Sequence, residues 1–137
     1  MKTGHDIQHE IYTLLQGSAL ALSVTGGVYK NGYRPRDSKL EDIVVTFTQS
    51  TAAQIQDGVV TVNIYVPDVD PRSDGTWVED GKRTAELERG LLTWLEGIDR
   101  STTELRLTPQ QPPFTMADET ARQHFVTLRI RFRYLDA

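Results

Sequence analysis

Apolar and polar positions change period several times along the chain, and each change marks an element. In "TGHDIQHEIYTLLQG", Ile7, Ile11, Leu14 and Leu15 recur at helical spacing. Thr3 and Asp6 stand in capping-box spacing ahead of them, with Asp where Glu or Gln is usual, and Gly17 is a natural stop. "SALALSVTGG" fits a short strand or a helical turn, closed either way by Gly26-Gly27. "VYKNGYRPRDSK" is rich in turn residues. Its Asn31-Gly32 pair is the strongest hairpin signal in the chain, and Pro35 disfavours a ladder position there. "DIVVTFT" (42–48) and "GVVTVNIYV" (58–66) are β-branched runs that predict two strands. The linker between them carries Gln49, Ser50, Gln54 and Gln56, which predicts an antiparallel pair.

Helical period returns in "KRTAELERGLLTWLEGI", where Leu87, Leu91, Trp94, Leu95 and Ile98 share a stripe. Gly90 interrupts it at a cost of about 1 kcal/mol against Ala, which predicts a close packing partner there. "TELRLTP" predicts a short strand closed by the Pro-rich turn "PQQPPF". In the final run, "FVTLRIRFRYL", Val126, Leu128, Ile130, Phe132 and Tyr134 alternate with Thr127, Arg129, Arg131 and Arg133. One face of that strand is core, and the other carries three arginines. The elements compose a single α+β domain over residues 1–137: one mostly antiparallel sheet with two α-helices packed on one face.

Composition narrows the class. A chain of 137 residues, 38% hydrophobic and 25% charged, suits one folded domain with its own core. No apolar run approaches the roughly 20 residues that cross a bilayer, and nothing at the N-terminus reads as a signal peptide. A cytosolic origin without a membrane partner is therefore expected. The absence of cysteine removes disulfides, thiolate catalysis and Cys-based zinc sites. A net charge of −4 weighs against a dedicated nucleic-acid binder.

The stretch "VPDVDPRSDGTWVEDG" (66–81) holds five acidic side chains and one basic one, and it invites comparison with a calcium loop. Counted from Asp70, Asp74 and Gly75 fit the EF-hand pattern, but Arg72 and Gly81 fall where ligands are required. Counted from Asp68, Arg72 and Ser73 break it. The stretch therefore reads as a strand-to-helix connection, with Asp68, Asp70 and Asp74 available to a partner. Trp77 either anchors on that partner or folds back on its own domain. His5, His9 and Glu10 do not make the H-E-x-x-H pattern, and His124 stands alone beside the last strand. Glu41-Asp42 and Glu79-Asp80 lie at element edges, where carboxylates cap or solvate more often than they catalyse. With no nucleophile elbow and no Gly-rich phosphate loop, no enzyme activity, metal or cofactor is expected.

Arg129, Arg131 and Arg133 repeat every 6–7 Å or so, a positive ladder about 13 Å long. On an edge-side strand it would discourage unwanted pairing; as a recognition surface it would meet phosphates or an acidic partner. Opposite charges on one chain suit head-to-tail assembly into a ring. A nucleic-acid module built on the ladder would need aromatic rings beside it, and Phe132 and Tyr134 alternate to the other face.

In order of elements, and in "GGVYKNGYRP" followed by "EDIVVTF" and "GVVTVNIYVPD", the chain resembles the small tail-completion or tail-terminator proteins of long-tailed phages and prophages. Val28, Tyr29 and Pro35 match the V-Y-x-x-x-x-x-P segment of that family, and residue-level likeness runs over about 28–68. The acidic 66–81 stretch and the long polar 109–124 stretch depart from it. The resemblance implies a structural α+β subunit of a homo-oligomeric ring, often of six copies, that ends the tail tube and meets the head connector. Its partners would be other copies of itself, the tail tube protein and the head-tail connector. DNA would pass only as cargo, and the protein would reside in the host cytoplasm and then the virion tail. A neck or head-completion protein of the same particle is the alternative.

Overall fold

Thr3 opens the first helix as its spacing predicts. Its hydroxyl accepts from the Asp6 amide at 3.1 Å, and the Asp6 carboxylate accepts from the Thr3 amide at 2.8 Å. In the computed structural model, which describes residues 1–135, helix α1 runs Gly4–Leu15 and α2 Ala19–Ser23. Strands β1 (Val28–Lys30), β2 (Asp42–Ser50) and β3 (Ile55–Pro67) follow, then α3 (Gly81–Glu96) and a 3-10 turn (Arg100–Thr102). Strands β4 (Arg106–Pro109), β5 (Phe114–Asp118) and β6 (Gln123–Leu135) complete the described chain.

The fold is α+β. Six strands make one sheet in the order β1-β2-β3-β6-β4, with β5 also paired to β6. Every pairing is antiparallel except β1 with β2. Ile7, Ile11 and Leu15 of α1 and Leu87, Leu91 and Leu95 of α3 join one core with Ile43, Val45, Val60, Val62, Ile64, Val126, Leu128, Ile130 and Phe132. Both long helices therefore cover the same face, and the other face of the sheet is left open.

Several local expectations change. Asn31-Gly32 makes a turn but no hairpin, because β1 runs parallel to β2 and the chain must loop through 31–41 to enter β2. "SALALSVTGG" resolves as α2, which Ser18 caps by accepting from the Ala21 amide. Gln49, Ser50 and Gln56 lie inside strands, since β2 and β3 are longer than their β-branched cores. The polar 109–124 stretch contains β5, whose Phe114 and Met116 carry too weak an alternation to announce it. Gly90 has the close partner its position implies: a Cβ there would meet Leu20 Cδ1 at 3.1 Å.

Candidate functional site

Register decides what the open face presents. Thr61 pairs with Arg129, Val59 with Arg131, and Asp57 with Arg133, so the ladder faces away from the helices. On the far side of β6, Arg106 pairs with Arg133 and adds a fourth guanidinium that the strand pattern of β6 alone does not reveal. All four arginines are exposed. The acid among them is Asp57, whose carboxylate accepts from Arg131 at 3.3 Å. The strand that holds the ladder is interior, flanked by β3 on one side and by β4 and β5 on the other. Protection of a sheet edge therefore does not explain the three arginines of β6.

Aromatic side chains do share this face. Tyr65 pairs with Phe125, their rings 5.6 Å apart, and Met116 pairs with Phe125 from β5. Phe114 stands opposite Thr127 and is 36% exposed. Phe132 and Tyr134 point away from the arginines as their alternation predicts, whereas Phe125 and Tyr65, which that reading left aside, lie on the arginine face. Arg34 lies over the Tyr65 ring at 4.2 Å while donating to Asp42 at 2.8 Å and to the Gln123 side chain at 3.2 Å. At the centre, between Val44 and Thr127, the Asn63 carboxamide oxygen is buried without a hydrogen-bond partner.

The acidic connection lies at the other end of the sheet. Asp68 follows the last residue of β3, nine positions beyond Val59, the partner of Arg131. At about 3.3 Å per residue the two charged regions are roughly 30 Å apart. Within the connection Val69 and Val78 form a β-bridge, and Ser73 and Gly75 take positive φ of 54° and 85°. The Asp70 carboxylate accepts from the Asp74 and Gly75 amides at 3.2 and 2.9 Å, so it shapes the turn instead of facing outward. Asp74 accepts from the Thr76 amide, yet its side chain remains 48% exposed beside Arg72. Trp77 folds back only in part on its own domain. Arg122 sits 5.1 Å from its ring centre, and 43% of the residue is still exposed, next to exposed Val69 and Val78.

His124 is not alone. It lies in β6, and its Nδ1 is 2.7 Å from Asp68 while its Nε2 is 3.8 Å from Glu79. The ring thus ties the two roots of the acidic connection together. Because each carboxylate meets a different nitrogen, the three groups do not converge on one point as metal ligands would. Glu41 and Asp42 are not solvated edge residues either. Asp42 is 1% exposed and holds Arg34; Glu41 is 8% exposed and takes a two-pronged hydrogen bond from Arg83 at 2.8 and 2.9 Å. Hydrogen bonding to Glu41, working against burial, raises the Arg83 pKa above its ordinary value. Sequence spacing alone offers no signal for these pairs, since Arg83 lies 42 positions from Glu41 and Arg34 reaches Asp42 across a loop.

Together these features define an α+β domain with two separated surfaces of opposite charge, an arginine-aromatic sheet face and an acidic, Trp-bearing connection. No protein-family model matches the chain, and no curated protein matches it in sequence. Among the described residues no helix is long and apolar enough to cross a membrane.

Proposed function

We propose that the chain is a structural subunit of a phage or prophage particle. In this reading it forms a ring that completes the tail tube and joins it to the head connector. The observation that carries the proposal is the polarity of the domain: a cationic sheet face and an acidic connection roughly 30 Å apart on one rigid sheet. Surfaces of opposite character at opposite ends cannot satisfy each other within a copy, and they favour heterologous contacts that close into rings. The resemblance of the 28–68 region to tail-completion proteins supplies the biological setting. In the assembled ring the arginine face turns toward a neighbouring copy or toward passing DNA, and the acidic connection turns toward a protein neighbour.

Native mass measured over a wide concentration range, together with co-sedimentation on purified tail tubes, tests the reading. A closed oligomer, or a monomer that binds tube ends and blocks their growth, supports it. A monomer indifferent to tubes refutes it.

A second reading is favoured by one observation, the placement of Tyr65, Phe125 and Phe114 on the same face as Arg106, Arg129, Arg131 and Arg133. Open sheets that combine aromatic rings with arginines bind single-stranded nucleic acid by stacking and phosphate contact. In this reading the isolated protein is retained on single-stranded DNA with steep salt dependence, and Phe125→Ala together with Arg131→Ala abolishes retention. Equal retention of the variant rejects it.

A further inference from the structure

The edge of β2 is the least defended part of the sheet. β1 covers only Ile43–Val45, whereas β2 continues to Ser50, so residues 46–50 have no strand beside them on that flank. Sheet edges are normally blunted by charge, proline or a covering element, and "TFTQS" carries neither charge nor proline. At the opposite flank, by contrast, β4 bears Arg106 and Pro109. A groove of about 870 Å³ opens beside the bare edge, between α1 and the end of β1. Tyr12, Tyr29, Tyr33 and Phe47 give it apolar walls, Lys30 gives it positive charge and His5 a polar ring, and no carboxylate lines it. The acids of α1 are engaged elsewhere, Asp6 with Thr3 and Glu10 with Lys2 and Thr103.

The acidic connection has the complementary character. Val69, Trp77 and Val78 are exposed apolar residues of one short segment, with Asp74 at the turn beside it. Val78 bonds to Val69 through both its amide and its carbonyl, so the outer edge of this short segment is formed by the backbone of Trp77 and Glu79. This segment cannot reach its own groove. Thr46 at the groove pairs with Thr61, and the connection begins beyond Pro67, six residues or about 20 Å further along β3. The arginine ladder is a poorer counterpart. Its nearest recess, between Asp57, Gln110 and Arg131, is mostly polar and offers no seat for an indole.

We propose that the groove between α1 and the bare β2 edge receives the 69–78 connection of a second copy. Trp77 enters among Tyr12, Tyr29 and Phe47, Asp74 meets Lys30 and His5, and the Val78 segment adds to the 46–50 edge as a short strand. Donor and acceptor surfaces differ, so the contact is head-to-tail and repeats from copy to copy. The inference rests on the ring reading and specifies which surfaces make it.

The test is amide hydrogen exchange on the full chain, run with native mass from micromolar to millimolar concentration. The proposal expects oligomerisation with concurrent protection at 46–50 and at 69–78. It expects at least a tenfold weaker association in Trp77→Ala and in Lys30→Glu, and recovery when Lys30→Glu is combined with Asp74→Lys. Thermal melts establish that each variant is folded, and the charge-swap pair stands independently of the Trp77 variant. Oligomers that form without protection at these segments, or that tolerate both single substitutions, overturn the proposal and leave the ring reading standing. Protection of 46–50 that appears only with added tail tubes shows that a tube protein occupies the groove, and also overturns it. A chain monomeric up to millimolar concentration overturns it as well, and the ring reading then rests on tube binding alone.

Discussion

Replacing Arg83 with Met removes one partner of an ion pair that links three elements. Arg83 projects from the first turn of α3 to Glu41 before β2, and it also donates to the Ser23 carbonyl at the end of α2, at 2.7 Å. Its side chain is 23% exposed, and that of Glu41 only 11%. The variant therefore strands a nearly buried carboxylate. Breaking a fully buried pair from one side costs about 3–5 kcal/mol. Water can reach the Arg83 side of this pair, so the expected loss is smaller, about 2–4 kcal/mol. For a domain of this length that lowers Tm by about 10 °C.

Glu41→Met should cost less, about 1–2 kcal/mol, because the freed guanidinium keeps Glu86 and the Ser23 carbonyl and lies nearer solvent. The double variant should recover at least half of the Arg83→Met loss, since no unpaired charge then remains buried. Urea unfolding of the four proteins, with an unchanged m-value, measures the cycle. A loss under 1 kcal/mol for Arg83→Met would refute the reasoning. A double variant no more stable than Arg83→Met would do the same.

Gly90→Ala gains about 1 kcal/mol of helix propensity and spends it against Leu20, so unfolding should show a change within about 0.5 kcal/mol, whereas Gly90→Val should cost about 1–3 kcal/mol; a gain for Val would mean that α2 yields freely. Asn63→Val removes the orphaned buried oxygen from an open-face strand position and should stabilise by about 1 kcal/mol; destabilisation would indicate an unseen partner for the carboxamide. Asp6 is held below the usual carboxylate range by the Thr3 amide and then its hydroxyl, Asp99 by the Ser101 amide and hydroxyl, and Asp118 chiefly by the Thr120 hydroxyl against the effect of burial. Folded values below unfolded ones mean stability that is present above about pH 4 and lost as pH falls through the lower folded values. The urea midpoint should thus drop between pH 5 and 2.5, less steeply in Asp6→Asn, and a flat profile in the wild type would contradict the assignment.

Much of the fold was legible because its strongest signals are local. The Thr3–Asp6 box, the stripe of α3 and the alternation of β6 each depend on spacing within one element, and each appears where spacing puts it. What was not legible depends on contacts between elements. Asn31-Gly32 has hairpin chemistry, yet a turn dipeptide cannot say whether the next strand returns beside the first or after an eleven-residue loop. His124, Glu41 and Asp42 were misplaced for the same reason, since their partners lie 42 or more positions away or across a loop.

The open, arginine-bearing face illustrates the division most sharply. Phe125 has the same parity as Arg129 on one strand, so its side of the sheet could be read from alternation alone. Tyr65 and Arg106 could not be placed that way, because their faces follow from how β3 and β4 are registered against β6. A one-residue slip between β3 and β6 would send Tyr65 to the core and bring Ile64 out among the arginines. The slip is prevented by the buried face, where Val60, Val62 and Ile64 must meet Ile130, Leu128 and Val126. The hydrophobic core therefore determines the chemistry of the opposite surface, and the spacing of arginines and aromatic rings on it is a consequence of apolar packing beneath.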